Sequence, residues 1–241
     1  MTKKSSKGVS DHPVVSHEEW LSARTVLLAK EKNFTKLSDQ MSQQRRALPW
    51  EKVEKEYVFV GPNGKQPLSA LFDGSSQLVI YHFMFHPDED AGCPHCSLRA
   101  DGFTGIIPHL KQRDVTMVVV SRAPYSKLAA YQKRMGWDFK WLSSFDTDFN
   151  YDYFVAFTPE EMAKKKGFYN YRLQNPDASE REGHSVFYQD ERGDVFHTYS
   201  CYFRGNDMLN IHYHYLDMVP KGRDEGDRGP FWVRRHDEYD R

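Results

Sequence analysis

Two cysteines separated by two residues give the clearest chemical signal in this sequence. Cys93, Pro94, His95 and Cys96 follow a nearly continuous apolar run at residues 78–85. A thiol at the start of a helix is stabilised as the thiolate by the helix dipole and by unpaired backbone N–H groups. We therefore predict that Cys93 is an exposed nucleophile. Cys96, one helical turn later, is placed to attack a mixed disulfide formed on Cys93.

The two residues between the cysteines fit the same chemistry. Pro94 suits the first position of a helix, where the N–H group that proline lacks is not needed. His95 can place a positive charge or a hydrogen bond near the Cys93 sulfur. We expect Cys93, Cys96 and His95 to be the catalytic residues. No bound cofactor is expected, because the electrons would pass through the cysteines themselves.

Half of a structural zinc site is the main alternative for the cysteine pair. A zinc site of this type needs two further ligands, and the only other cysteine is Cys201. His82 and His86 lie just upstream and could supply them together with Cys93 and Cys96. A metal-binding or other non-enzymatic binding protein is therefore the alternative function. The position between a buried strand and a helix favours a redox-active dithiol, and no metal site is assigned.

Other cysteine and histidine residues carry weaker signals. Cys201 is expected to pack as a small apolar residue, as buried free thiols commonly do. His212 and His214 flank a tyrosine, and a packed or solvated helix face is favoured over a metal-binding pair. His184 and His197 can approach the dithiol from the second half of the chain. A histidine among aromatic residues is, however, more often a hydrogen-bonded core residue.

Alternating strands and helices are predicted around the motif. Apolar runs of strand length occupy residues 78–85 and 115–121, and a helix is expected over 124–135 with a stop at Gly136. A further strand is expected at residues 139–145. The order strand, helix, strand, helix, strand is typical of an α/β domain.

The second half of the domain is expected to be antiparallel. Residues 185–189 and 194–199 form the clearest hairpin, and a helix over 206–216 would follow it. A short helix at residues 159–166 and a strand at residues 57–60 complete the prediction. Three strands with helical crossovers, then a hairpin and a final helix, are the thioredoxin order. We therefore predict an α/β, thioredoxin-like fold.

A helical segment precedes this domain. Residues 16–48 contain no glycine or proline, and their apolar residues recur at helical spacings. Ser16 and Glu19 form a capping-box pattern, and Pro49 ends the segment. The apolar stripe over residues 20–41 must be buried against something, so a homodimer is expected.

Three regions follow from these patterns. We predict an N-terminal helical extension over residues 1–52, a thioredoxin-like domain over residues 53–219 and a C-terminal tail over residues 220–241. The tail is mostly charged, apart from a short apolar group at residues 231–233. Its mixed charges at residues 234–238 favour surface ion pairs over an anion-binding role.

Composition excludes several classes of partner. The 33 basic and 34 acidic residues give a net charge of −1, without the basic excess of a nucleic-acid-binding protein. Nothing approaches 18 consecutive apolar residues, so no membrane span is expected. The first 12 residues hold three lysines but no apolar stretch, so an export signal is not expected either. A cytoplasmic location, where thiols stay reduced, is therefore predicted.

Motifs along nearly the whole chain resemble the thioredoxin-like family named domain of unknown function 899. The segments that carry the resemblance are residues 16–20, 48–50, 81–85, 92–96, 196–200, 204–205, 220–224 and 234–239. The resemblance implies a thioredoxin fold and does not assign a reaction. The Cys-Pro-His-Cys motif also resembles the dithiol site of bacterial disulfide-forming oxidants, over four residues.

Two departures from related families narrow the expected chemistry. Thioredoxins place a cis-proline just before the hairpin, whereas residues 183–185 contain no proline. Peroxiredoxins need proline and threonine or serine seven and three residues before their reactive cysteine, and His86 and Asp90 stand there instead. The sequence therefore predicts a thiol–disulfide oxidoreductase acting on a protein or small-molecule thiol or disulfide, rather than an ordinary peroxiredoxin.

Overall fold

The computed structural model describes residues 12–240. Its strands are β1 (Glu51–Lys52), β2 (Val58–Gly61), β3 (Gly64–Pro67), β4 (Gln77–His82), β5 (Val115–Ser121), β6 (Trp141–Ser143), β7 (Gly167–Tyr169), β8 (Arg172–Gln174), β9 (Gly183–Gln189) and β10 (Val195–Tyr202). Its α-helices are α1 (His17–Arg46), α2 (Pro94–Ala100), α3 (Ile107–Lys111), α4 (Tyr125–Met135), α5 (Phe149–Asp152), α6 (Pro159–Ala163) and α7 (Ile211–Leu216).

An eight-stranded mixed sheet organises the domain, with the order β1-β10-β9-β4-β5-β6-β2-β3. The three strands β4, β5 and β6 are parallel. The hairpin strands β9 and β10 continue the sheet antiparallel beside β4. This central arrangement, with helices between the parallel strands and a hairpin beyond them, is a thioredoxin-like fold. The predicted fold class is confirmed.

Strand β4 separates two apolar layers because its side chains alternate between the faces of the sheet. Val79 and Tyr81 face the layer that also holds residues of α2 and α4. Leu78 and Ile80 face the other layer, which holds a 3-10 helix at Leu68–Phe72. Because both faces are covered, β4 is almost continuously apolar.

The chain divides into two compact units. One takes in residues up to Pro49 with Leu216–Asp224, and the other takes in Trp50–Tyr215 with the residues from Glu225 onward. The predicted regional boundaries at residues 52 and 219 stay predictions. The expected lack of an export signal concerns residues outside the described range.

Helix α1 of the first unit confirms the predicted N-terminal helix. Ser16 accepts a hydrogen bond from the Glu19 backbone N–H, and the Glu19 carboxylate accepts one from the Ser16 backbone, so the capping box is complete. The apolar side chains of α1 are exposed, including Trp20 and Phe34. The predicted homodimer, which would cover them, stays a prediction. In the part of the chain that the structure describes, no helix is long and apolar enough to cross a membrane.

Two predicted elements differ from the structure. The helix expected over residues 206–216 is wrong, because a 3-10 helix at Phe203–Leu209 and the short α7 stand there instead. They are separated at Asn210, whose backbone leaves the helical region at φ −100° and ψ 80°. Strand β6 covers only three of the predicted residues 139–145.

Candidate functional site

Cys93 stands at the junction between the central strand and helix α2. Beyond the end of β4, the Cys93 N–H donates to the Met84 carbonyl at 3.1 Å, which holds the approach to the helix against the strand segment. Cys93 is the N-cap of α2, and Pro94 takes the first helical position. The Ser97 N–H and hydroxyl both donate to the Cys93 carbonyl at 2.9 Å. The predicted helix start is therefore present.

The two thiols differ in exposure. Cys93 is half-buried, whereas Cys96 is completely buried in the layer that contains Tyr81. Both cysteines are free thiols. Only the first thiol is therefore open to a reactant from solvent, and the second lies one turn deeper.

The two thiols also differ in the direction of their pKa shifts. The pKa of Cys93 is well below its ordinary value because the sulfur hydrogen-bonds Cys96 and, less strongly, His95. The pKa of Cys96 is well above its ordinary value because of burial and its interaction with Cys93. Hydrogen bonding to Cys93 raises the pKa of His95. The arrangement favours a Cys93 thiolate, a Cys96 thiol and a protonated His95.

The C-terminal segment reaches this site, which the sequence did not predict. His95 Nε2 lies 3.3 Å from the Pro230 carbonyl oxygen. The Arg235 guanidinium donates two hydrogen bonds to the Gly92 carbonyl, at 2.7 and 3.0 Å. The residues on both sides of Cys93 are thus held by the tail. Arg235 also forms the expected surface ion pair, with Glu238 at 2.9 Å.

A buried polar cluster lies beneath Cys96. Arg99 forms an ion pair with Glu182 and donates to the Tyr81 hydroxyl at 3.0 Å. The hydrogen bond from the Tyr81 hydroxyl to Cys96 partly offsets the rise in the pKa of that thiol. Glu182 immediately precedes β9 and is adjacent to residues 183–185, which lack the proline that thioredoxins place before the hairpin. The cluster connects the buried thiol to an ion pair between helix α2 and the residue that precedes β9.

A second carboxyl group lies near the same end of the sheet. Glu180 is 5% exposed, and its Oε1 atom lies 3.6 Å from Arg122 without a hydrogen-bond partner. Burial raises the pKa of Glu180 to about 8, with a smaller contribution from the Cys93 thiolate. The Phe85 backbone N–H donates to the Glu180 carboxyl group. No local sequence signal marked Glu180 or Glu182, because their partners are distant in the chain.

The bacterial family of unknown function DUF899 matches residues 9–239 of the chain. The chain belongs to the DUF899 family. This confirms the resemblance seen in the sequence motifs. No curated protein sequence matches the chain.

Several solved structures are similar to this DUF899 protein. Peroxidoxin BcpB from Mycobacterium tuberculosis is 16% identical, with a TM-score of 0.44 over 68% of this chain and 94% of that chain. A peroxiredoxin Q mutant from Xanthomonas campestris is 14% identical, with a TM-score of 0.43 over 66% and 90%. The mitochondrial 2-Cys peroxiredoxin from Plasmodium falciparum is 12% identical, with a TM-score of 0.38 over 73% and 94%.

The DUF899 protein does not assemble the four residues of the alternative zinc site. His82 lies in the layer on the other side of the sheet, where it stacks on Phe149 and its Nε2 lies 2.8 Å from the Ser185 hydroxyl. His86 instead lies 3.6 Å from Asp88. Across residues 12–240 there is no group of three or more His, Cys, Asp or Glu side chains arranged to hold a metal ion.

The remaining cysteine and histidine candidates are held by neighbouring polar groups. Cys201 is buried, and its thiol lies 3.2 Å from the Asn206 side-chain oxygen, which also lies 2.9 Å from His184 Nδ1. His197 Nε2 lies 2.7 Å from the Ser200 hydroxyl. His184 additionally stacks on the ring of Tyr81. These side chains are packed within the fold, as the sequence favoured.

The pair His212 and His214 lies within helix α7. His214 is exposed, and its Nε2 lies 3.3 Å from the Met208 carbonyl oxygen. His212 is half-buried. The favoured prediction of a helix face, rather than a metal-binding pair, agrees with this placement.

Proposed function

We propose that this protein is a thiol–disulfide oxidoreductase in which Cys93 is the nucleophile, Cys96 resolves the mixed disulfide and His95 stabilises the thiolate. The observation that carries the proposal is the hydrogen-bonded cysteine pair at the start of α2, with the pKa of Cys93 lowered and that of Cys96 raised. A nucleophile that is half-exposed and a resolving thiol that is buried beneath it match the two steps of dithiol exchange.

The exchange proceeds in two balanced steps. The Cys93 thiolate attacks one sulfur of a substrate disulfide, forms a mixed disulfide and releases the other substrate sulfur as a thiolate that takes up a proton. Cys96 then loses its proton and attacks the Cys93 sulfur, which releases the second substrate thiolate and leaves a disulfide between Cys93 and Cys96. Two electrons have passed from the dithiol to the substrate. Two equivalents of a low-molecular-weight thiol, such as a reducing cytosol provides, then reduce the disulfide between Cys93 and Cys96 and are themselves joined as a disulfide.

Trapping the mixed disulfide tests the proposal. In a Cys96→Ser variant the second step cannot occur, so treatment with oxidised glutathione should leave one glutathione attached to Cys93, seen as a mass increase that a reductant reverses. Cys201→Ser is the matched control and should not accumulate the adduct. The wild-type protein should instead form the internal disulfide and lose two titratable thiols.

Two results would overturn this function. One is an adduct on Cys201 in place of Cys93. The other is a wild-type protein that keeps all three thiols at equilibrium with oxidised glutathione while it remains folded.

A further inference from the structure

The C-terminal segment Glu225–Asp240, named here the C-terminal strap, covers the approach to the dithiol. It contacts residues on both sides of Cys93 in the chain. Arg235 binds the Gly92 carbonyl, and the Pro230 carbonyl lies against His95. The Gly92 carbonyl and the His95 imidazole, which flank Cys93, are therefore already in contact with the protein's own C-terminal segment.

The strap is anchored along the helices that surround the site. Val233 is 3% exposed, so its side chain is part of the packed interior. His236 Nδ1 lies 2.7 Å from the Asp101 carboxylate at the end of α2. Arg134 of α4 binds Asp237 at 2.7 Å and Glu238 at 2.9 Å.

Two further contacts hold the start of the strap. The Glu225 carboxylate accepts hydrogen bonds from Trp232 at 2.8 Å and from Tyr213 at 3.1 Å. The strap is thus fixed at its beginning, its middle and its end.

The strap has a direct consequence for the size of a reactant. A protein disulfide brings chain segments on both sides of the reacting sulfur, and these segments must lie against the residues around the nucleophile. Here that surface is occupied by Pro230 and Arg235. A small disulfide brings no such segments and needs room only beside Cys93, which is partly exposed.

We infer that the C-terminal strap restricts the Cys93 thiol to low-molecular-weight disulfides and excludes folded protein disulfides. This substrate class rests on the proposed oxidoreductase function, but the steric restriction itself does not. The two can therefore be tested separately.

Size-graded alkylation tests the restriction without any turnover. Iodoacetamide and a maleimide carrying a long polyethylene glycol chain are compared by their rates at Cys93, measured by peptide mass mapping. In the folded wild-type protein the ratio of the large-reagent rate to the small-reagent rate should be far below the ratio in denaturant. Equal ratios in the two states would overturn the inference without the use of any variant.

Arg235→Ala identifies the strap as the cause. Two charge-assisted hydrogen bonds are lost, so at 1.4 kcal/mol per tenfold the large-reagent rate should rise at least tenfold relative to the small one. The ratio cancels any change in the acidity of Cys93. Arg192→Ala is the control, because it removes the same charge from an exposed site in the β9–β10 turn and should leave the ratio unchanged. An Arg235→Ala protein that is folded by circular dichroism but keeps the wild-type ratio would overturn the role of the strap.

Turnover then tests the substrate class. The wild-type protein should reduce oxidised glutathione but not the disulfides of insulin, and Arg235→Ala should gain insulin reduction. Wild-type reduction of insulin at the rate of the small disulfide overturns the inference. If alkylation is size-selective but neither substrate is reduced, the strap is a steric barrier and the proposed oxidoreductase function is wrong.

Discussion

His95 and Cys93 hydrogen-bond across the first turn of α2, and each shifts the pKa of the other toward the charged form. His95 is exposed while Cys93 is half-buried, so the contact lies at the surface of the site. The pair combines with the start of the helix and with the Cys96 thiol to favour a thiolate at Cys93. In the proposed dithiol exchange, a stronger contact would make a disulfide between Cys93 and Cys96 easier to reduce.

Cys93 should be the most acidic and most reactive of the three thiols. Its pKa is lowered by hydrogen bonds to Cys96 and His95, whereas burial raises the pKa of Cys96. Rates of iodoacetamide alkylation measured against pH should show a Cys93 transition well below the unperturbed thiol value of about 8.5. Cys201 in the same protein is the internal reference. A Cys93 transition near that unperturbed value, or reaction no faster than that of Cys201, would contradict the assignment.

Replacing His95 by alanine should change the redox potential more than the stability. Loss of the hydrogen bond raises the Cys93 pKa, which destabilises the reduced form relative to the disulfide. The reduction potential should therefore fall by some tens of millivolts, on a scale where about 30 mV corresponds to about 1.4 kcal/mol. Equilibration in glutathione buffers measures the potential, and the melting temperature of the reduced protein should stay nearly unchanged. An unchanged potential with a large loss of stability would make His95 a structural residue.

Breaking the ion pair below Cys96 should cost substantial stability. Glu182→Gln leaves the Arg99 guanidinium, which is 5% exposed, without its charge partner. Removing one partner of a buried pair costs about 3 kcal/mol or more in the free energy of unfolding. Urea denaturation of the reduced protein measures it, with Arg99→Met plus Glu182→Gln as the matched double variant that leaves no unpaired charge. A double variant less stable than the single one would contradict this explanation.

Two buried histidines should make the protein sensitive to acid. Burial lowers the pKa of His82 and of His184 from 6.5 to about 3. The unfolded chain therefore binds these protons first, so stability is full above about pH 6.5 and falls as the pH decreases. At pH 5 each histidine should cost about 2 kcal/mol in the free energy of unfolding. Only the wild type loses stability through His184 as the pH falls, because glutamine does not titrate. The difference in stability between His184→Gln and wild type should therefore shrink between pH 7 and pH 5. A constant difference would show that His184 binds a proton while folded.

The sequence predicted the parts of the site that are close together in the chain. Cys93, Pro94, His95 and Cys96 fall on a strand–helix junction because the apolar run and the proline are local signals. The thioredoxin-like order followed from the same periodicity. The break at Asn210 was missed because that residue's backbone conformation is not encoded by an adjacent glycine or proline.

The rest of the site depends on contacts between distant residues. Arg235 reaches the Gly92 carbonyl across 143 positions, and Arg99 reaches Glu182 across 83. A basic residue in a mixed-charge tail looks the same in sequence whether it lies in water or binds a backbone carbonyl. Periodicity predicts which face of an element is buried, but it does not identify the polar partner that meets it.

Glu180 should carry a proton at neutral pH and make stability fall as the pH rises from about 4.5 to about 8. Burial raises its pKa from 4.5 to about 8, so the unfolded chain loses this proton first as the pH increases. Its contribution to stability is therefore fully favourable below about pH 4.5 and is lost progressively up to about pH 8. Glu180→Gln keeps the group neutral, so its stability relative to wild type should rise by up to about 1.4 kcal/mol per pH unit between pH 5 and pH 8. Urea denaturation at several pH values measures the slope, with Glu191→Gln on the exposed hairpin turn as the control. Parallel curves for Glu180→Gln and wild type would mean that Glu180 is ionised in the folded protein, with the Arg122 guanidinium compensating its burial.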